Sequence, residues 1–162
     1  MGGKQNDERP GRNQPVGDYS SALEVVSEYS AALAAQDSER MKSLHSPDFV
    51  LDWVYADAFE TPPSSAKETH EFWPSWFAGF PEMDYKVTRT IAAEEVVVVQ
   101  WIFTGTNAGP LGPPAFGRPL EPTGRTIQFR GVSIYDVSGG LIQRETTYMD
   151  LATLLVELGV TP

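Results

Sequence analysis

The first clear pattern along the chain is helical. Across residues 20–36, Ala22, Val25, Val26, Tyr29, Ala32 and Leu33 recur with a 3.6-residue period, which predicts one apolar stripe on an amphipathic helix. Asp37 is placed to cap a short second helix over 38–44, and Ser46-Pro47-Asp48 ends it before a predicted strand over 49–54. Ser64 and Ser65 offer caps for a third helix carrying Phe72, Trp73, Trp76 and Phe77, with Pro74 expected to kink or divide it. Residues 83–91 alternate weakly, and 96–103 form a continuous apolar run of the kind found in a covered strand. Two further strands follow at 124–137 and 140–149, and Asp150 is placed to cap a last helix over 151–158. The predicted order is α-α-β-α-β-β-β-β-α.

Length and composition narrow what this order can serve. A chain of 162 residues is long enough for one domain with an internal pocket. Residues 1–18 are polar, charge-balanced and expected to be disordered, so the domain is placed at 19–162. The absence of cysteine excludes a thiolate nucleophile and a disulfide framework, and two histidines leave little material for a metal site. A net charge of −10 argues against nucleic acid and anionic membranes as partners. The expected partner is a small apolar ligand. With no apolar leader after Met1 and no membrane-length apolar run, a cytoplasmic location is expected.

Several short motifs recur in a telling order: Pro47-Asp48-Phe49, Phe80-Pro81, Trp101 before Thr104-Gly-Thr106 and Gly109, Pro122-Thr-Gly-Arg125, Gly140-Leu-Ile142, and Asp150 before Glu157-Leu-Gly159. Together, over about residues 19–160, they resemble the SnoaL-like polyketide cyclase family of the NTF2-like superfamily. The resemblance implies an α+β cone: a curved antiparallel sheet of about five strands, packed on three N-terminal helices around a deep apolar pocket. It also implies a homodimer and a cofactor-independent ring closure. In that chemistry an Asp takes an α-proton and returns it to the new alkoxide.

The same resemblance puts the family's Asp at Thr147, its pocket His at Ser133, its pocket Gln at Gly131 and its pocket Asn at Leu51. A threonine hydroxyl is too weak a base for this work. Strand alternation, however, sets Gln143, Glu145, Thr147 and Met149 on one face, beside Phe129, Gly131, Ser133 and Tyr135 of the neighbouring strand. Glu145 is then either a displaced acid/base, with Ser133, Tyr135 and Thr147 as hydrogen-bond partners for a substrate oxygen, or a residue at the pocket mouth, solvated or paired with an Arg. Leu51, Trp53, Trp73, Trp76, Phe77, Phe129 and Met149 are the expected apolar lining. The alternative to an enzyme is a binding protein that has lost the acid. An epoxide hydrolase would need paired acids, and this face carries only one carboxylate. His70 is expected either in the pocket or at the surface. His45 and Asp48 lack a third metal ligand nearby. Residues 107–124, with five prolines and four glycines, are expected to form either a lid bearing Phe116 and Arg118 or a stiff excursion covering a neighbouring subunit.

Overall fold

A computed structural model describes residues 19–54, 62–113 and 117–160, so the tail at 1–18 and Phe116 lie outside the described residues. The elements are α1 (Tyr19–Ala34), α2 (Ser38–Ser43), β1 (His45–Val54), β2 (Ser64–Ser65), α3 (Ala66–Gly79), β3 (Glu82–Ala93), β4 (Val96–Thr106), β5 (Thr126–Ser138), β6 (Leu141–Met149) and α4 (Leu151–Leu158). One sheet carries all six strands in the order β2-β1-β6-β5-β4-β3. It is curved and unclosed, as an NTF2-like cone is. Five strands are those expected; the two-residue β2, too short to leave a periodic signal, pairs with Val50 and Leu51. The pairing is antiparallel except between β1 and β6, which run parallel. This is the consequence of joining the first and last long strands at the middle of the sheet.

The helices follow from their stripes and caps. In α1, Ala22, Val26, Tyr29, Ala32 and Leu33 are buried, and the helix lies across β3, β4, β5 and β6. Asp37 accepts a hydrogen bond from the Arg40 amide at 3.0 Å and starts α2. Ser65 and Glu68 form a reciprocal capping box at the start of α3, satisfying donors that the first turn leaves unpaired. Pro74 does not divide α3: it sits on the exposed face, where the unpaired carbonyl one turn back can meet water. Nor does Ser46-Pro47-Asp48 end before β1 begins. The strand runs through it from His45, with a register shift between His45 and Val50 absorbing the missing proline N–H.

Strand β4 alternates rather than being covered on both faces. Val97, Val99, Trp101 and Phe103 are buried, while Val96 is exposed and Val98 and Ile102 are half-buried. One face of the sheet therefore meets the helices and the other stays partly open. At the far end, the Asp150 carboxylate accepts from the Thr153 amide at 3.0 Å, and Gly159, at φ 75°, closes α4 in the left-handed conformation. The Arg125 guanidinium donates to the Glu157 carbonyl, and the Glu157 carboxylate accepts the Gln128 amide. The Pro-Thr-Gly-Arg and Glu-Leu-Gly motifs thus hold α4 against β5. No helix among the described residues is long and apolar enough to cross a membrane.

Residues 107–124 are anchored at their base. Asn107 is fully buried; its amide donates to the carbonyls of Gly79 and Gly109, and its side-chain oxygen accepts from the amide and hydroxyl of Thr123. Leu111 and Leu120 pair as an isolated bridge, and Arg118 is exposed.

Candidate functional site

Sheet register places the site residues in adjacent rows on the concave face. Leu51, Glu145 and Tyr135 lie side by side on β1, β6 and β5, and Trp53, Thr147 and Ser133 form the next row. Beyond them, Gly131 sits between Met149 and Trp101, and Phe103 between Phe129 and Tyr85. Because strand side chains alternate, the choice of one inward residue settles the others.

This face, α3 and the start of α4 enclose a cavity of about 520 Å³, within the range of small-molecule sites. Its lining includes Leu51, Trp53, Trp73, Trp76, Phe129, Ser133, Glu145, Thr147 and Met149 from the expected set, and Phe72, Tyr85, Trp101 and Phe103 besides. Two expected residues lie elsewhere. Phe77, one position past Trp76 and so turned about 100° round the helix, packs behind Trp73 with ring centroids 5.7 Å apart. Tyr135 is fully buried beneath Glu145, its hydroxyl reaching the carboxylate at 3.2 Å. Leu151, Leu154 and Leu155 of α4 close the cavity, and Gly117 lines it from the 107–124 excursion.

One side of the wall is aromatic. Trp53, Phe72 and Trp73 meet at centroid separations of 5.0–6.5 Å, and Trp76 continues the wall to Phe103 and Phe129. Such pairs contribute about 0.5–1.5 kcal/mol each beyond the area they bury and present flat faces to a ligand. At Gly131 an added Cβ would lie 2.4 Å from the Trp101 ring and 2.6 Å from the Tyr148 carbonyl oxygen. Trp101 thus occupies space that a side chain at position 131 would need, and its indole N–H donates to Ser133 Oγ at 3.0 Å.

Glu145 is not at the pocket mouth. It is 4% exposed, and its carboxylate receives Thr147 Oγ1 at 2.8 Å, Ser133 Oγ at 3.0 Å, Tyr135 Oη at 3.2 Å and Tyr29 Oη at 3.3 Å. Burial raises its pKa above the ordinary carboxylate value, against the lowering effect of the four hydroxyls. The ion pairs among the described residues are Arg40–Glu28, Lys67–Glu71 and Arg144–Asp52; none supplies a cation to Glu145. Three hydroxyls converge on Oε1 and only Tyr29 meets Oε2, which leaves Oε2 the oxygen with room for another partner. A carboxyl whose pKa is raised in this way holds a proton more readily than an exposed one, as a group that accepts and returns a proton must. Ser133 and Thr147, expected as partners for a substrate oxygen, spend their hydroxyls on Glu145 and on each other, 2.8 Å apart.

Residues 23–158 match the model of the SnoaL-like polyketide cyclase family. The chain belongs to that family. Solved SnoaL-like structures share the fold. A candidate SnoaL-like polyketide cyclase from Jannaschia sp. CCS1 superposes with a TM-score of 0.74 at 18% identity, covering 98% of this chain and all of that one. IdmH from Streptomyces antibioticus, a candidate polyketide cyclase, gives 0.67 at 24% identity over 86% of this chain and 99% of its own. AclR from Streptomyces galilaeus, a candidate hydroxylase, gives 0.73 at 21% identity, covering 89% and 88% of the two chains. Comparison with curated proteins gives no significant match.

Outside this SnoaL-like cavity, the other expected chemistry disperses. His45 is buried, stacked on Phe49 with centroids 3.7 Å apart, and its Nδ1 lies 3.2 Å from Nε2 of the half-buried His70. Neither histidine lines the cavity. Asp48 is exposed, and no group of three metal-ligating side chains occurs among the described residues. The sequence reading missed Tyr29 and Tyr85. Tyr29 lay hidden in the apolar stripe of α1, where a hydroxyl among aliphatic residues was the one available signal.

Proposed function

We propose that this SnoaL-like protein is a cofactor-independent cyclase or isomerase in which Glu145 is the general acid/base, acting on a small apolar carbonyl compound of polyketide type. The observation that carries the reading is the Glu145 carboxyl, buried in the cavity wall with its pKa raised and no cation beside it. On this reading Thr147 stands where the family's Asp would be, and Glu145 carries the proton from two residues earlier on the same face of β6. Thr147 and Ser133 then position the carboxyl rather than react.

In the forward step the Glu145 carboxylate takes an α-proton. The C–H electron pair becomes the enolate C=C bond, and the carbonyl π pair moves onto oxygen. When the enolate carbon bonds to a second carbonyl carbon, that carbonyl's π pair becomes an alkoxide, which takes the proton back from Glu145. An isomerase would instead return it to a different carbon.

An arene-fused ketone with acidic α-hydrogens, 2-tetralone, tests this without knowledge of the natural substrate. In D2O the wild-type protein is expected to accelerate α-deuterium exchange followed by NMR, and Glu145→Gln to lose about 10²–10⁴-fold of that acceleration. A non-catalytic ligand-binding role is the second reading, favoured by the three hydroxyls that tie down Oε1. Binding of 2-tetralone with no accelerated exchange would establish it and remove the first.

The reading also has the protein act as a homodimer through the outer sheet face. There Ile91, Val98 and Ile134 form one apolar row, and Ile91 is 50% exposed. A monomer in sedimentation equilibrium overturns this part.

A further inference from the structure

The Tyr29 and Tyr135 hydroxyls meet Glu145, a third tyrosine, Tyr85, lies next to Tyr135, and the three are not equivalent. Tyr29 and Tyr135 are fully buried, and each hydroxyl has a single proton, which it gives to the Glu145 carboxylate. Tyr85, on β3, is the one of the three whose side chain lines the cavity. Its hydroxyl neighbours that of Tyr135 and lies in the field of Glu145, and both burial and that field raise its pKa well above the usual phenol value. It is therefore a neutral donor throughout the physiological range. Since Tyr135 gives its own proton to Glu145, it meets Tyr85 only as an acceptor, and a ligand oxygen in the cavity competes with Tyr135 Oη for the Tyr85 proton.

The rest of the cavity defines what that ligand is. Its charged lining residues are Glu68 and Glu145, and Glu68 is tied to the Ser65 amide and hydroxyl in the α3 cap. No Lys, Arg or His lines the cavity among the described residues, so nothing there would balance a ligand carboxylate. Phe72 and Trp76 stack at 5.9 Å with their planes 16° apart, presenting parallel ring faces.

We propose that Tyr85 donates the hydrogen bond that seats the reacting oxygen of the substrate beside Glu145. This rests on the acid/base reading of Glu145 for the catalytic use of the seat. In that use, the Tyr85 O–H meets the oxygen on which the enolate electron pair accumulates, while the α-proton passes to Glu145. The Tyr85 proton stays on its own oxygen throughout, so the proton balance of the reaction is unchanged.

Binding of 2-naphthol and of 2-methylnaphthalene, measured by calorimetry on wild type and Tyr85→Phe, tests the seat directly. The two compounds differ by a hydroxyl against a methyl, and the substitution keeps the Tyr85 ring, with near-UV circular dichroism reporting whether the core is intact. Tyr85→Phe is expected to weaken 2-naphthol about tenfold, the loss of one hydrogen bond, and to leave 2-methylnaphthalene within about twofold. Equal losses for both compounds, no loss for either, or no binding of either to wild type overturns the assignment. A second arm uses 2-tetralone exchange: Tyr85→Phe is expected to lower it about tenfold or more with Glu145 in place. Dependence of exchange on Glu145 alone, with naphthol indifferent to Tyr85, removes this inference and keeps the acid. Naphthol dependence on Tyr85 without any exchange keeps the oxygen seat and removes the base.

Discussion

Glu145 and His45 are both buried ionisable side chains, both driven toward neutrality, and only one of them stands at a cavity. Burial raises the Glu145 pKa and lowers that of His45 to about 3, in each case because the charged form loses its water. What differs is the company each keeps. Four hydroxyls hold the Glu145 carboxylate, so its charged form remains within reach. His45 is stacked between Phe49 and His70, and its Nε2 has no hydrogen-bond partner. A perturbed pKa therefore marks desolvation in both places, and it marks a candidate for proton chemistry only where donors and a cavity accompany it.

The two groups should pull stability in opposite directions with pH, which is the largest effect available to separate them. For His45 the folded pKa of about 3 lies below the unfolded 6.5, so the unfolded chain binds more protons between those values. Its contribution is fully present above 6.5 and is lost as pH falls, by about 2 kcal/mol between pH 7 and pH 5. For Glu145 the folded pKa lies above the unfolded 4.5. The folded protein then holds the proton more tightly, and stability falls as pH rises from 4.5 through the folded pKa. Urea unfolding at pH 7 and pH 5 reads both. His45→Gln is expected to leave a protein that gains stability on acidification relative to wild type, and Glu145→Gln one that loses more. The same sign of change in both variants would end the comparison.

This contrast also explains what the sequence could and could not announce. The stripe of α1, the Ser65 cap, the Asp150 cap and the long strands were legible because each is a local pattern with a local cause. That Glu145, Ser133 and Thr147 share one face was legible too, since strand alternation fixes faces once two strands are known to be neighbours, but that the two hydroxyls bond Glu145 rather than a substrate oxygen was not. The contributions of Tyr29 and Tyr85 were not: one arrives from α1 to bond Glu145 and the other from the edge strand β3 to lie beside Tyr135, and no local pattern in either segment marks them. His45 and His70, 25 residues apart, meet because α3 packs on β1. The short β2 and the parallel β1–β6 pairing are likewise products of chain closure, with no periodic signature in the segments themselves.

A smaller effect sharpens the Glu145 side. Of its hydroxyl partners, Thr147 does most to hold the carboxylate charged. Thr147→Val keeps the shape and removes that donor, so the Glu145 pKa should rise further, by an amount worth about 1.5 kcal/mol. Carbon-13 NMR titration of the Glu145 carboxyl in both proteins measures it. An unchanged midpoint would mean that the Thr147 proton goes to Ser133 Oγ instead, the alternative that their 2.8 Å contact allows.

The smallest expected effect concerns the His45 side and decides whether the two histidines act as a pair. Burial is the main cause of the low His45 pKa, and the charge of His70 is secondary. Residue His70 is half-buried, and its own pKa is lowered by burial and by Lys42, against a raising effect of Glu39. Solvent near the His70 ring screens its charge, so removing that charge should matter little. His70→Gln retains a side chain able to hydrogen-bond to His45 Nδ1 while deleting the titration. It is expected to move the acid limb of stability by roughly 0.5 kcal/mol or less. The His45 ring signals followed by NMR from pH 7 downward should still report a neutral imidazole at pH 5. A His45 that becomes protonated near pH 6 in this variant would show that the contact with His70, and not burial among Phe49 and Tyr29, is what keeps it neutral.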